Sequence, residues 1–325
     1  MPRPVFRPLL HRTLRSRLGP ALAAGLLAAA LAAPAWAGDP EVHVLPVPDR
    51  APGERRPLLV YLHGLGGSGS EALANPGLRA LAERGRMVLV APDGTLDRQK
   101  RRFWNAGPAC CNADGKAVND VARLEALIFH WSQRPDIDPT RVYLVGFSNG
   151  GFMAHRLACF MDDRLAAVVS LAGAGRGRDE ACAPASPIAV LEVHGDADPV
   201  VRYEGGRVLN DRAFDPHPSA PETFRDWAER LGCVGPPAVS TADLDPRLPG
   251  AETKIEGHAG CPLGAVELWT VHGAGHQVAT PALLERVGEW LAAHPKPPPR
   301  KKGDKRGKKG GKRNDKPERG IKLPN

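Results

Sequence analysis

Several absences narrow this 325-residue chain before any motif is considered. No acidic residue occurs among the first 20, which carry Arg3, Arg7, Arg12, Arg15 and Arg17. None of those arginines are adjacent, which argues against a twin-arginine export signal. No cysteine precedes Cys110, so lipid attachment to a newly exposed N-terminal cysteine is excluded. No C-x-x-C pair or Cys/His cluster has zinc-ligand spacing, and no metal is expected. No internal repeat is visible.

The N-terminal arginines precede the apolar run ALAAGLLAAALAA at 21–33 and the small-x-small site Ala35-Trp36-Ala37. Together these predict a secretory signal peptide over residues 1–37, cleaved after Ala37, and a secreted or periplasmic protein. A permanent anchor fits less well. The run from Gly19 to Trp36 is 18 residues, rich in alanine and broken by Pro34, so no transmembrane segment is expected after cleavage.

At the other end, residues 296–325 carry thirteen Lys/Arg against Asp304, Asp315 and Glu318, a net charge of +10. With almost nothing apolar to bury, this segment is expected to be a disordered tail. The whole chain has a formal charge of +8. Subtracting the tail's +10 and the +5 of the N-terminal arginines leaves −7 for residues 38–295. The folded body is therefore acidic, which excludes a nucleic-acid surface by composition. The tail either attaches the protein to an anionic surface or simply keeps it soluble.

Residues 38–295 suit one large α/β domain. Six cysteines in an exported chain suggest disulfides, and Cys233–Cys261 is favoured because those two are near each other and far from the rest. Apolar runs at 58–62, 87–91, 141–145, 167–171, 188–193 and 266–271 predict strands. Helical periodicity occupies 71–84, 120–133, 150–162, 222–231 and 281–294, and a long loop covers 94–117. Strand–helix alternation of this kind predicts a mostly parallel central sheet with helices on both faces, and chemistry at the carboxyl ends of the strands.

The stretch VYLHGLGGSG at 60–69 has two readings. Gly64, Gly66 and Gly69 have the spacing of a dinucleotide-binding turn, with Asp93 as the ribose-binding acid. His63-Gly64 also fits a loop that donates a backbone N–H to an oxyanion. GFSNG at 146–150 favours the second reading. As a bare G-x-S-x-G pattern it would arise by chance about 0.1 times in a chain of this composition. Here it directly follows the strand RVYLV and precedes a helix, the strand–turn–helix setting a nucleophilic serine requires. A serine needs a base, and His276 in VHGAGH is preferred over His272 and His258. Asp198 in HGDADPVV is preferred over Asp196 as the acid that orients it. The order Ser148, Asp198, His276 is that of α/β-hydrolases. Backbone N–H groups of Leu65 and Asn149 are the expected oxyanion hole, and no cofactor is needed.

With these residues in view, YLHGLGG, WNAGPACC, NDVARLEALI, RVYLVGFSNGGFMAHRLAC and HGDADPVV resemble the secreted esterases of the polyhydroxybutyrate-depolymerase and feruloyl-esterase type, over about residues 42–293. The resemblance implies an α/β-hydrolase fold, a Ser148–His276–Asp198 triad and hydrolysis of carboxylic esters. It further implies that Trp104 and the 94–117 loop lie beside the active site, with Trp104 and Asn105 binding substrate. The segment GAGHQVATP lacks the aromatic that many such proteins carry after this histidine. Aromatics are only 5% of the chain, with no aromatic-rich module after the body, so soluble oligomers or small acyl esters are expected rather than solid polyester. Two other functions remain open: a serine peptidase of the same fold, and a non-catalytic surface protein that binds through its tail.

Overall fold

The apolar runs form the middle of a nine-stranded sheet. The computed structural model describes residues 41–46, 51–175 and 182–297. The expected signal peptide at 1–37 and the tail beyond residue 297 lie outside the described residues. In chain order the elements begin with β1 (Val42–Leu45), β2 (Arg56–Leu62), α1 (Gly69–Ala74), α2 (Pro76–Arg84) and β3 (Val88–Pro92). The two-residue strands β4 (Thr95–Leu96) and β5 (Arg102–Phe103) follow, then α3 (Asp120–Ser132), β6 (Ile137–Phe147), α4 (Asn149–Phe160), β7 (Ala167–Leu171) and β8 (Ile188–Gly195). The chain continues through α5 (Ala220–Arg230), β9 (Ala238–Ala242), β10 (Thr253–Cys261), β11 (Gly264–Val271) and α6 (Pro281–Ala293).

The sheet order is β1-β3-β2-β6-β7-β8-β11-β10-β9. The six strands from β3 to β11 run parallel, and β1, β10 and β9 are antiparallel additions at the edges. Side chains alternate across a strand, so β2 serves two cores at once. Leu58, Val60 and Leu62 pack with Leu124 and Ile128 of α3, Met153 and Leu157 of α4, and Trp227 of α5. Leu59 points to the other face, among Leu78 and Leu81 of α2 and Leu283, Val287 and Leu291 of α6. The helices thus cover both faces, as expected for an α/β-hydrolase. Among the described residues no helix is long and apolar enough to cross a membrane.

Three differences from the sequence reading have physical causes. The helix expected over 71–84 is two helices, because Asn75 closes α1 and its side chain caps the N–H of Leu78 in α2, with Pro76 at the first helical position. Strands β1, β9 and β10 were not anticipated. They are edge or near-edge strands, partly solvated along most of their length, and so lack the apolar run that marks a buried parallel strand. The cysteines pair as Cys110–Cys111, Cys159–Cys182 and the expected Cys233–Cys261.

Candidate active site

The turn between β6 and α4 shows why the pentapeptide needs its glycines. Ser148 sits at φ 53°, ψ −116°, a left-handed conformation unfavourable for a residue with a side chain. The turn that imposes it brings backbones too close for Cβ atoms. A Cβ on Gly146 would run into the Gly150 carbonyl, and one on Gly150 into the Leu62 carbonyl. The elbow is pinned from below by the Ser148 N–H, which donates to the Leu171 carbonyl of β7 at 2.8 Å. Ser148 therefore stands at the N-terminus of α4, where helix N–H groups favour developing negative charge.

Three loops at the carboxyl edge of the sheet converge on this serine. Ser148 Oγ lies 2.9 Å from His276 Nε2, and His276 Nδ1 lies 2.7 Å from Asp198 Oδ2. A carboxylate only accepts, so Nδ1 carries the proton of neutral His276, and Nε2 is left to accept from the Ser148 hydroxyl. Asp198 is buried, and its Oδ1 accepts the N–H groups of Val200 and Val201 at 2.7 and 3.0 Å. Burial alone would raise its pKa, but hydrogen bonds from His194 and His276 hold the carboxyl well below the usual range. The Phe147 ring packs against His276 with centroids 5.1 Å apart.

The other pair left open by the sequence is also formed, but elsewhere. His272 Nδ1 bonds Asp196 Oδ2 at 2.8 Å, and Asp196 Oδ1 accepts the Gly273 N–H at 2.7 Å. This more exposed pair ties the start of the loop carrying His276 to the loop carrying Asp198.

The His63-Gly64 loop packs directly on the elbow: a Cβ built on Gly64 would lie 3.3 Å from Ser148 Cβ. His63 fixes the loop from inside, its Nδ1 donating to the Gly64 carbonyl at 2.7 Å and its Nε2 accepting the Gly94 N–H at 2.9 Å. Burial lowers its pKa, in keeping with a neutral ring. The Gly66 N–H is committed to the Arg102 carbonyl at 2.8 Å, which leaves Leu65 as the loop amide beside the elbow. Asn149 supplies the first N–H of α4. Its buried side chain pairs with the Trp104 backbone in both directions, accepting at 2.7 Å and donating at 2.9 Å, and also approaches Cys110 Sγ at 3.4 Å.

The expected substrate contact of Trp104 is corrected by these contacts, whereas half-buried Asn105 stays at the loop's edge. Trp104 is fully buried and its indole N–H donates to the His63 carbonyl at 2.9 Å, so it holds the His63-Gly64 loop and presents no face to substrate. The Asn105 side-chain N–H₂ is turned to the Val118 carbonyl at 3.0 Å, and its backbone N–H to Asp120 at 2.7 Å. The bonds of both residues shape the 94–117 loop.

The dinucleotide reading of 60–69 fails on geometry. Asp93 accepts the Gly69 N–H at 2.7 Å and pairs with Arg102 at 2.8 Å, so its carboxylate is used inside the protein. Gly69 is glycine because α1 begins against the Ala91 carbonyl of β3. The same Asp93, with Glu41 and His43, forms a group of potential metal ligands among the described residues. The Arg102 guanidinium already neutralises it.

A buried chain of polar groups beneath Asp198 escaped sequence reasoning. Glu192 in β8 bonds His155 of α4 at 2.8 Å and His194 at 2.9 Å. His155 accepts the Trp227 indole N–H at 3.0 Å, and His194 Nε2 lies 3.4 Å from Asp198 Oδ2. The available signal was an acid inside the otherwise apolar IAVLEV of a parallel strand.

Comparison with known proteins agrees with this fold. Residues 50–213 match the family described as phospholipase/carboxylesterase. The chain is 36% identical over 152 residues to the putative esterase NocK of Nocardia uniformis subsp. tsuyamanensis, covering 47% of this chain and 43% of that protein. It is 29% identical over 231 residues to feruloyl esterase B of Piromyces equi, covering 68% of this chain and 39% of that one. The matches thus span about two-fifths of each relative's length. Among solved structures, acetyl xylan esterase from Aspergillus awamori matches with a TM-score of 0.55 at 15% identity, covering 77% of this chain and 93% of the other, a likeness of fold.

Proposed function

The chain belongs to the phospholipase/carboxylesterase family of α/β-hydrolases, and from that premise we propose that it is an exported serine esterase acting through an acyl-enzyme on Ser148. One observation carries the reading: the unbroken hydrogen-bonded path from Ser148 Oγ through His276 to Asp198, with the serine held at positive φ on an elbow.

His276 Nε2 takes the Ser148 proton as Oγ attacks the ester carbonyl, forming the new C–O bond. The carbonyl π electrons move to oxygen, where the Leu65 and Asn149 amides hold the charge. Loss of one such donor typically lowers turnover about 100- to 1,000-fold. Collapse of the tetrahedral intermediate breaks the bond to the alcohol, which leaves with the proton from His276. Water, deprotonated by the same nitrogen, then releases the acid and restores Ser148. Asp198 keeps the histidine in its reactive tautomer and stabilises the imidazolium.

The names of the relatives support carboxylic esters, with feruloyl esters as the substrates to try first. Three disulfides and the N-terminal signal pattern support export into an oxidising compartment. The +10 tail supports a loose attachment to an anionic surface. The experiment is hydrolysis of p-nitrophenyl and feruloyl esters by wild type and Ser148→Ala. Turnover is expected to vanish in the variant with the fold intact, and a variant of normal rate overturns the assignment. Cleavage of amides as fast as esters would favour a peptidase.

A further inference from the structure

Acyl transfer as written uses nothing beneath Asp198, yet the protein buries Glu192, His194 and His155 there in direct contact. The hydrogen-bonding roles can be worked out one ring at a time. His155 Nδ1 receives the Trp227 indole N–H at 3.0 Å, so its proton is on Nε2 and donates to Glu192 Oε2 at 2.8 Å. His155 is therefore a neutral donor.

His194 is in a different position. Its Nδ1 faces Glu192 Oε1 at 2.9 Å, and its Nε2 faces the Val201 carbonyl at 2.7 Å and Asp198 Oδ2 at 3.4 Å. Carbonyl and carboxylate oxygens only accept. A neutral ring has a single N–H, and would set a bare nitrogen against one of these oxygens. A ring protonated on both nitrogens satisfies every contact. Resting on the triad reading above, we propose that His194 is a positioning residue: an imidazolium clamped by Glu192 that orients Asp198 and tempers its pull on His276.

The surroundings are consistent with this. The groups facing His194 are Glu192 on its own strand, which His155 of α4 bonds from the other side, and Asp198, Tyr203 and His217 from the chain between β8 and α5. Beyond Asp198 lies His276, from the loop after β11. The Tyr203 ring lies 5.9 Å away, and its hydroxyl bonds Thr270 at 2.8 Å. Burial lowers the pKa of His217 and so disfavours a second cation there. Burial also opposes charge on His194, but hydrogen bonds to Asp198 and Glu192 outweigh it and push its pKa up to about 9. Glu192 and Asp198 are both held low by the same contacts, against burial. Two carboxylates and one imidazolium leave a single negative charge below His276, the balance a lone aspartate would give.

The consequence is measurable. Asp198 Oδ2 is shared by His194 Nε2 at 3.4 Å and His276 Nδ1 at 2.7 Å, so the facing nitrogens lie within about 6 Å. Removing the His194 charge makes His276 more basic and moves the acid limb of the rate profile up by about one pH unit. A merely structural role would lower the rate without moving the limb.

The test begins with wild-type full-length protein, labelled with ¹⁵N in histidine. NMR is expected to show protons on both ring nitrogens of His194 throughout pH 6–8. One bare nitrogen in that range, which is what a proton resting on Glu192 would give, overturns the proposal. His194→Gln then provides the kinetic arm: the acid limb of ester hydrolysis should move up, and an active variant with an unmoved limb overturns the proposal. If the variant does not fold, the NMR result on wild type decides alone. Wild type without turnover would count against the esterase reading, whereas an active wild type with a neutral His194 would count against this proposal only.

Discussion

Replacing Asn149 with alanine should cost the protein much of its stability while leaving the residue's proposed catalytic atom in place. The Asn149 side chain is fully buried and makes two short bonds to the Trp104 backbone, at 2.7 and 2.9 Å. Alanine leaves the Trp104 N–H and carbonyl without those partners, in a space too tight for free hydration. The Trp104 N–H becomes a buried orphan at about 1–3 kcal/mol, while the carbonyl still accepts the Ala106 N–H at 3.0 Å and adds about 1 kcal/mol for the lost bond, so the expected loss is about 2–4 kcal/mol. For a domain of this size that corresponds to a fall in Tm of roughly 5–15 °C. Urea denaturation under non-reducing conditions should show a lower midpoint at unchanged slope. Asn149→Asp should not rescue it. One carboxylate oxygen can still accept the Trp104 N–H, but the other would face the Trp104 carbonyl, acceptor against acceptor. The N–H of residue 149 survives both changes, so turnover in Asn149→Ala should fall by less than the roughly 100-fold expected for a lost oxyanion donor. A loss of less than about 0.5 kcal/mol would refute the reasoning, because Asn149 would then not be what holds the Trp104 loop.

The two aspartates of HGDADPVV should separate cleanly. Asp198→Asn, which removes the carboxylate beneath His276, should lower kcat by about 10,000-fold, whereas Asp196→Asn should change kcat less than tenfold, and equal effects would contradict the assignment. Stability should depend on pH through His194. Its pKa is raised in the folded protein, from 6.5 to about 9, so its contribution is fully present below pH 6.5 and is lost as pH rises through 9. The loss is on the order of 3 kcal/mol across that window, and equilibrium denaturation at pH 6 and pH 9 should show it in wild type but not in His194→Gln.

How much could be read in advance depended on what marks each feature. The central strands were legible because burial on both faces demands continuous apolar runs such as LLVYL and MVLVA. Ser148, Asp198 and His276 stood out because each follows such a run, in a glycine-containing turn at the strand's carboxyl end. The antiparallel edge was missed because TKIEGHAGC is half solvated and carries no such run. Trp104 was misjudged because an aromatic beside an active site is equally compatible with lining the cleft and with supporting it, and only its complete burial decides. The Cys159–Cys182 pair depended on tertiary proximity that spacing does not encode, and the adjacent Cys110 and Cys111 could each equally have reached a distant partner. Glu192 and His155 lie 37 residues apart on a strand and a helix, so their union with His194 had no local pattern to announce it.

The central claim is that Ser148 is an activated nucleophile. It is tested most directly by treating the protein with a fluorophosphonate at neutral pH and mapping the adduct by mass spectrometry. The account predicts one adduct, on Ser148, formed in the folded protein and lost after denaturation. Folded protein that takes up no label, or takes it up at another residue, would contradict it.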